Sequence, residues 1–484
     1  MPTRNLPNDP NFDHLKKQAK TLLRQVREGD PAALALAEEF HQVRNLADAQ
    51  VVIARSYGFA SWPRLGRHLE LINRYSRSPH RQSVGGSLDT PAERADEFLR
   101  LATLHYGEDD PVRRTAARRL LDEYPEVALS NIYTMVVAGE LPAVRSKLSE
   151  ESGLASREGG PYRWEPLLYL AYARLDVPDG APVEIAKLLL EHGADPNAGY
   201  LWQGMPSPFT AVCGAFGRGE NDQPPHQYRL ELARLLLEHG ADPNDSQTMY
   251  NCGPGCPPPY DDDHLELLLE FGLGQGDGGP WHERMTTAHP TPAQLLEDEL
   301  VFAASAGLLH RVQLLLAHGV DPEGQGTRHL AFRGHRPYEL AAVNGHARVA
   351  ELLLEAGVEP LDDVHLLFAA AMNGNRAEVA RLTAEDSGLA RRAVARNPYL
   401  PIRAGELGRV AALQLLADLG FDVNVFALTA PLHRAALNGR LDAVRKLIQL
   451  GADPTTRDSM YDATPQGWAE HNKQQEVVDY LAGL

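Results

Sequence analysis

Cysteine is scarce in this chain, with three residues in 484. An odd and small number excludes a disulfide framework and is typical of a reducing compartment. Long apolar runs are missing as well, since none approaches the roughly 18 residues that a membrane-spanning helix needs. The N-terminal stretch MPTRNLPNDPNFDHLKKQ lacks the apolar segment of a secretory signal. We therefore expect a cytoplasmic protein without a membrane partner.

Motifs for catalysis are also missing. The sequence has no Gly-rich phosphate loop, no nucleophile elbow and no HExxH pattern. We accordingly predict that the chain is not an enzyme and that it has no catalytic residue, no cofactor and no metal ligand.

Positive charge is in short supply, and what there is lies at one end. The formal net charge is −18, yet residues 1–88 hold 13 Lys and Arg against 8 Asp and Glu, which makes them +5 and leaves −23 on the other 396 residues. An acidic body repels phosphates, whose neutralisation dominates nucleic-acid affinity. Nucleic acid is therefore disfavoured as a partner of the whole chain, while the basic N-terminal part keeps a different preference.

The chain does contain a repeat. The string LLLEHGADPN occurs at Leu188–Asn197 and again at Leu235–Asn244, and each copy reads as the end of a helix followed by its exit turn. Recurrence of such a unit predicts a mostly α-helical solenoid, in which each unit buries its apolar surface against its neighbours. Weaker copies begin at Leu314, Leu352, Leu415 and Leu447.

The last full unit, Thr429–Pro454, is TAPLHRAALNGRLDAVRKLIQLGADP. Thr429 is expected to cap a first helix, Gly439 to break it, and Gly451 to end a second, amphipathic helix in the left-handed conformation. The unit resembles the ankyrin repeat, with its T-P-L-H-x-A-A start and G-A-D helix end. The resemblance implies that His433 ties adjacent turns together.

If the resemblance extends along the chain, residues 129–484 form an array of about ten units. It implies a curved stack with β-turn fingers and a concave face that binds another protein. Ahead of this array we expect a basic helical domain at 1–75, a polar linker at 76–90 and a helical cap at 91–128.

The basic domain carries the strings LKKQAK and YGFASWPRL. They resemble the N-terminal region of many bacterial ankyrin-repeat proteins, a family without an agreed activity. A cap at Ser61 and a helix from Trp62 are expected. An alternative interpretation is a helix-turn-helix that presents Arg64, Arg67 and His68 to DNA, although Trp-Pro is an unusual start for a recognition helix.

The repeat period gives way between 198 and 292. Glycines that end second helices fall at 193, 240, 272, 319, 357, 388, 420 and 451, and two intervals of 47 indicate insertions around 198–226 and 245–292. Insertions in a solenoid map to loops that often serve binding. Aromatic residues at Tyr200, Trp202, Tyr260 and Trp281 are expected to be exposed there, as interface anchors or as covers for the bare core beside an irregular repeat.

Two interpretations of the second insertion stay open. Cys252, Cys256 and His264 have spacing compatible with a metal site, which would make the chain a metal- or ligand-dependent enzyme. Asp261–Asp263 more simply cap a helix and complement its dipole. Our leading hypothesis is a protein-binding scaffold that uses the concave face and these loops, and DNA-linked regulation is the alternative. The candidate binding residues are Tyr200, Trp202, Glu220, His226, Tyr250, Asp262, His264 and Trp281.

Overall fold

The protein is described by a computed structural model that covers residues 11–107, 109–177, 180–285, 289–328 and 334–484. These residues contain 28 α-helices and three short strands. The chain divides into two compact units, unit 1 (Met1–Leu295) and unit 2 (Leu296–Leu484). The first ten residues of the predicted N-terminal domain lie outside the described residues. In the part of the chain that is described, no helix has the length and apolarity to cross a membrane.

Unit 1 begins with four helices that share one core. Asn11 caps α1 through hydrogen bonds from the N–H groups of Asp13 and His14, and Ser61 caps α4 as expected. Leu15, Ile53 and Leu65 are fully buried in the core between them. The four helices are α1 (Phe12–Glu28), α2 (Pro31–Phe40), α3 (Leu46–Ser56) and α4 (Trp62–Tyr75).

The rest of unit 1 consists of short helices, three of which are 3-10 turns (Pro79–Arg81, Pro125–Leu129, Ser152–Ser156). Its α-helices are α5 (Pro91–Ala102), α6 (Pro111–Glu123), α7 (Ile132–Ala138), α8 (Leu141–Glu150), α9 (Pro166–Tyr172), α10 (Ala181–Glu191), α11 (Ala211–Phe216), α12 (Arg229–Glu238), α13 (Ser246–Cys252), α14 (Asp263–Glu270) and α15 (Gly279–Met285).

A three-stranded sheet joins the N-terminal helices to the first insertion. Its strands are β1 (Ser76–Arg77), β2 (Gly199–Trp202) and β3 (Pro208–Thr210). β1 pairs with β2 in parallel, with Ser76 opposite Leu201, and β2 pairs with β3 in antiparallel. The first residues of the predicted linker are therefore paired with β2. Strands β2 and β3 belong to the first insertion, and together we call them the inserted finger.

The last six helices of unit 2 stack in two rows: α23, α25 and α27 pack in succession, and so do α24, α26 and α28. Its first helix, α16 (Pro292–Ala306), contains the division between the units. The others are α17 (Leu309–Ala317), α18 (Pro337–Val343), α19 (Ala347–Glu355), α20 (Asp363–Met372), α21 (Arg376–Glu385), α22 (Leu389–Arg396), α23 (Leu400–Glu406), α24 (Val410–Asp418), α25 (Pro431–Leu437), α26 (Leu441–Gln449), α27 (Pro465–His471) and α28 (Gln475–Ala482).

Glycines end most second helices in the way the sequence predicts. Seven of the eight have φ between 77° and 95°, a region that other residues reach only at a cost. Gly388 is the exception, with φ −90°. The prediction for Gly388 is wrong because α21 already ends at Glu385, and Gly388 is the N-cap of the additional helix α22. The seven are Gly193, Gly240, Gly272, Gly319, Gly357, Gly420 and Gly451.

The asparagine in the exit turn after a second helix contacts the following exit turn through both atoms of its amide. Asn424 donates Nδ2–H to the carbonyl of Gly451 at 2.9 Å, and its Oδ1 accepts the N–H of Asp453 at 2.9 Å. Asn197 makes the same pair of bonds, at 2.9 and 2.8 Å, in unit 1. Periodic recurrence of this residue thus has a structural cause: it fastens one exit turn to the next.

Candidate functional site

The sequence predicts exposed aromatic side chains in the insertions, and for Tyr200 and Trp281 this is wrong. Only 1% of Tyr200 and 3% of Trp281 is exposed. The ring of Tyr200 stacks on Trp164 and Phe209, with centroids 4.9 and 5.5 Å away. Trp281 donates its indole N–H to the carbonyl of Asn197 at 3.0 Å. The physical reason is that these rings fill the core beside the irregular repeats, the second role considered for them.

Trp202 and Tyr260 are half-buried. The indole N–H of Trp202 donates to the carbonyl of His105 at 3.2 Å, and its ring lies 4.3 Å from the ring of His80. His80 belongs to the predicted linker. The inserted finger is therefore used inside unit 1 to hold the segment that follows α4.

Glu220 and Tyr250 are the predicted site residues that the fold brings together. The Tyr250 hydroxyl donates to Glu220 Oε1 at 3.0 Å. Glu220 is exposed and Tyr250 is half-buried, and burial together with this carboxylate raises the pKa of Tyr250 to about 12. The pair joins the two insertions at the surface of unit 1.

His226 is buried, and its ring serves the backbone. Its Nδ1 accepts the N–H of Tyr228 at 3.1 Å. Burial and the nearby guanidinium of Arg174 lower the pKa of His226 to about 3, so the ring is neutral at physiological pH. A neutral, buried ring is not available as an exposed binding group, and the prediction of a loop contact at His226 is wrong in that respect.

The arrangement around Cys252, Cys256 and His264 does not favour a metal. All three side chains are buried, and burial raises the pKa of the Cys252 thiol well above its usual value. Cys256 Sγ lies 3.4 Å from Arg218 Nη2 and 3.4 Å from the carbonyl of Gly253. Within the described residues, the ligand atoms of this trio do not form a group compact enough to share one ion.

Asp261–Asp263 lie at the start of α14. Asp262 is its N-cap residue, and Asp263, in the first turn, forms an ion pair with Arg229 of α12. Acidic groups at this end complement the helix dipole. The carboxylates lie at the predicted helix start, but Asp262 makes no side-chain capping hydrogen bond, so the position and not the cap itself agrees with the simpler interpretation.

A larger concave site lies in unit 2. A cavity of about 490 Å³ opens between α18, α20 and α23 and is closed at one side by residues 427–429. Its lining mixes apolar and charged side chains: His335, Glu339, Leu340, Val343, Asn344, His365, Phe368, Tyr399, Leu400, Arg403, Glu406, Leu428, Arg434 and Met460.

Glu406 organises the charges at the base of this cavity. Arg403 donates to its Oε2 at 3.0 Å, and Arg434, from the next repeat, donates to Oε1 at 2.8 Å. Burial alone would raise the pKa of Glu406, but the two guanidiniums hold it below its usual value. The ionised carboxylate therefore keeps two cations in place on neighbouring helices.

Exposed apolar side chains border the same cavity on the loops 419–430 and 450–464. Leu428 is 61% exposed and Tyr461 75%, and Phe426 and Met460 are also exposed. The Ser459 N–H donates to the carbonyl of Leu428 at 3.2 Å, which holds the two loops side by side. Leu428 and Met460 line the cavity, and Phe426 and Tyr461 lie within two positions of them in the sequence. We call these four exposed apolar residues the apolar rim; exposed apolar groups of this kind often mark interaction sites.

Asp458 holds the rim loop rigidly. Its carboxylate accepts the N–H groups of Met460 and Tyr461 at 2.7 and 2.8 Å and the indole N–H of Trp468 at 2.8 Å. Burial raises the pKa of Asp458, but these hydrogen bonds outweigh it and hold the pKa far below its usual value. The rim side chains are therefore exposed on an ordered backbone.

His335, Glu339 and His365 meet at the opposite side of the cavity. His335 Nδ1 lies 3.1 Å from Glu339 Oε2, and His365 Nε2 lies 3.8 Å from Glu339 Oε1. Arg336 donates its Nε–H to Oε1 at 2.9 Å. Burial raises the pKa of Glu339, but hydrogen bonds from His335 and Arg336 lower it to about 2. An ionised carboxylate thus lies between two imidazoles.

Reasoning from the sequence missed this cavity. Its residues come from separate helices and loops of unit 2, so that no local motif contains them. A signal was present, however: His335 and His365 are separated by 30 positions, close to one repeat, and a periodic fold places such residues next to each other.

The unit Thr429–Pro454, which resembles an ankyrin repeat in sequence, shows how its signature residues are used in the structure. Ala430, rather than Thr429, is the N-cap of α25, so the predicted cap is displaced by one residue. His433 Nδ1 accepts the N–H of Ala430 at 3.3 Å, and its Nε2 lies 3.2 Å from the carbonyl of Ala463 in the next repeat, as the resemblance implied.

Residues 429–459 match the family model of the ankyrin repeat. No curated protein matches the chain. An ankyrin repeat is thereby shown within a mostly helical protein, and repeats of this kind generally mediate protein binding.

Proposed function

We propose that the chain is a protein-binding module whose partner docks at the unit 2 cavity and its apolar rim. The observation that carries this proposal is the position of the rim. Leu428 and Met460 line the cavity and are exposed at the same time, and Leu428 lies next to the matched ankyrin repeat. Exposed apolar side chains around a concave site are typical of interface anchors.

The partner we propose is a protein segment with an apolar side chain that enters the cavity. The walls supply apolar contacts from Phe368 and Leu400, while Arg403, Glu406 and Arg434 offer charges of both signs. Such a mixture does not favour a strongly charged ligand. A cationic ligand would face the two arginines, and an anionic ligand would face Glu406. Specificity then comes from shape and from hydrogen bonds at the base of the cavity.

The proposal also covers the arrangement of repeats along the chain. We take residues 129–484 as an ankyrin array of about ten units, supported by the recurring helix ends and by the two rows of helices in unit 2. We also propose that the protein is bacterial, cytoplasmic and without catalytic activity. The contact surface is moved from residues 198–290 to unit 2, because Tyr200 and Trp281 of the insertions are buried.

The test uses the intact chain as bait in lysate of the native host, with proteins identified by mass spectrometry and the strongest candidate purified for titration. Leu428→Ser with Met460→Ser is expected to weaken binding by roughly tenfold or more, since truncated anchors typically cost that much. The matched control is Val112→Ser with Leu129→Ser, two exposed apolar residues of unit 1.

A third variant separates the two placements. Glu220→Ala with Tyr250→Ala alters the surface pair of the insertions and leaves the cavity intact. If the rim variant binds normally and Glu220→Ala with Tyr250→Ala loses binding, the placement in unit 2 is overturned. The contact surface would then lie in residues 198–290, as the sequence predicted.

A further inference from the structure

We propose that His335, Glu339 and His365 bind a divalent transition-metal ion of the zinc class. The three side chains offer two imidazole nitrogens and one carboxylate oxygen, all within 4.8 Å of one another. Ligands at roughly 2.0–2.2 Å from Zn²⁺ are themselves about 3–4 Å apart in a tetrahedral site. His335 Nδ1 lies 3.1 Å from Glu339 Oε2 and His365 Nε2 lies 3.8 Å from Glu339 Oε1, so each imidazole is within that range of one carboxylate oxygen.

The donor orientation of His365 is set by a neighbouring carboxylate. Asp362 Oδ1 accepts the backbone N–H of His365 at 2.8 Å and lies 2.8 Å from its Nδ1. With the proton on Nδ1, the lone pair of Nε2 faces Glu339. A carboxylate behind a histidine that fixes its tautomer and raises its basicity is the usual support of a metal ligand.

This orientation places two acceptors opposite each other. In that tautomer His365 Nε2 and Glu339 Oε1, 3.8 Å apart, can both face one cation. A divalent ion bound to the trio takes the place of the hydrogen that now joins His335 to Glu339, and that proton is released to solvent.

The surrounding charges are compatible with a dication. Arg336 contacts Glu339, but its guanidinium also pairs with Glu323 at 3.0 Å, so that its charge is compensated. Arg396 reaches Asp362 at 3.6 Å from an exposed position. The three carboxylates outnumber the two guanidiniums, and the hydrogen bond from Arg336 supports the ligating carboxylate as a second layer of contacts.

Imidazole together with carboxylate suits Zn²⁺ and its neighbours better than Mg²⁺ or Ca²⁺, which prefer oxygen alone. Three protein ligands at the edge of the cavity leave a fourth position that faces its interior. Water or a donor atom of a bound molecule would complete the coordination there.

The test is calorimetric titration of the full chain, freed of metal by a chelator, with Zn²⁺. We expect one ion per chain, and Co²⁺ is expected to give visible absorption bands of a low-coordinate nitrogen and oxygen site. His335→Ala, His365→Ala and Glu339→Gln should each weaken Zn²⁺ binding by roughly tenfold or more. The matched control, His318→Ala, removes an exposed histidine of the same unit and is expected to leave the affinity unchanged.

Asp362→Asn tests the positioning of His365. It is expected to weaken Zn²⁺ binding by roughly tenfold or more while the Co²⁺ bands stay in place, because the ligand set is retained. Circular dichroism establishes that each variant is folded. Absence of binding by the folded parent chain, or an equal loss of affinity in His318→Ala, would overturn the proposal.

Discussion

At the scale of single residues, burial decides what a side chain can do. His226 illustrates this: the sequence places it in a loop with a binding function, and the structure encloses it beside Arg174. Tyr200 shows the same effect for an aromatic ring. Neither outcome is predictable from neighbouring residues, because the enclosing groups come from distant parts of the chain.

His226 makes unit 1 sensitive to acid. Its folded-state pKa of about 3 lies below the value of about 6.5 in an unfolded chain, so the unfolded state binds a proton first as the pH falls. The stability that depends on the neutral ring is present above about pH 6.5 and is lost as the pH falls toward about 3.

Because of His226, the unfolding free energy of the parent is expected to fall between about pH 7 and about pH 5. In His226→Asn we expect this fall to be smaller by on the order of 1–2 kcal/mol. Urea titrations at the two pH values measure the difference. His239→Asn, at an exposed position of the same unit, is the control. An identical pH dependence in His226→Asn and the parent would contradict the assignment.

At the scale of elements, the repeat unit is held to its neighbours by side chains of its exit turn. The sequence predicts helix ends, because glycine and the apolar period are local signals. The hydrogen bonds from Asn424 to the following turn cannot be predicted from such local signals, because their partners are 27 and 29 residues away. The repeated string contained the asparagine without revealing what it binds.

Asn424→Ala removes both bonds to Gly451 and Asp453, and we expect a loss of about 1 kcal/mol in unfolding free energy, modest because the position is exposed. Asn438→Ala is the matched control, since its amide donates only within its own helix, to the carbonyl of Arg434. Denaturant titrations of both variants test the idea. A larger loss for Asn438→Ala than for Asn424→Ala would count against it.

At the scale of the whole molecule, the charge asymmetry of the sequence bears on the nucleic-acid alternative. Residues 1–88 carry +5 against −23 on the remainder, and Arg64 and Arg67 are exposed on α4. The DNA-binding alternative depends on these two residues together with His68, whereas the acidic body repels phosphates.

We expect the intact chain to show no binding to short duplex DNA at low salt, measured by fluorescence anisotropy. Salt-sensitive binding that disappears in Arg64→Ala with Arg67→Ala would contradict this expectation and favour the DNA-linked alternative. Retained binding in that variant would assign the contact to another basic surface.

Sequence reasoning reached the helical content and one matched repeat, because these depend on local pattern and period. It placed the candidate site in the insertions, where irregular spacing and aromatic residues are conspicuous. The cavity of unit 2 escaped it, since Glu339, Arg403 and Arg434 come from separate helices and each alone reads as a surface charge.

The pairing of β1 with β2 has a consequence for folding order. Ser76 and Leu201 are 125 positions apart, so their strands meet only by closing a very long loop. Loop closure of this length carries an entropic cost that local helix pairs do not have, which makes such contacts slow to form. We expect the helices between the two strands to assemble first and to bring the inserted finger within reach. The N-terminal helices, although synthesised first, would then be fixed in place last.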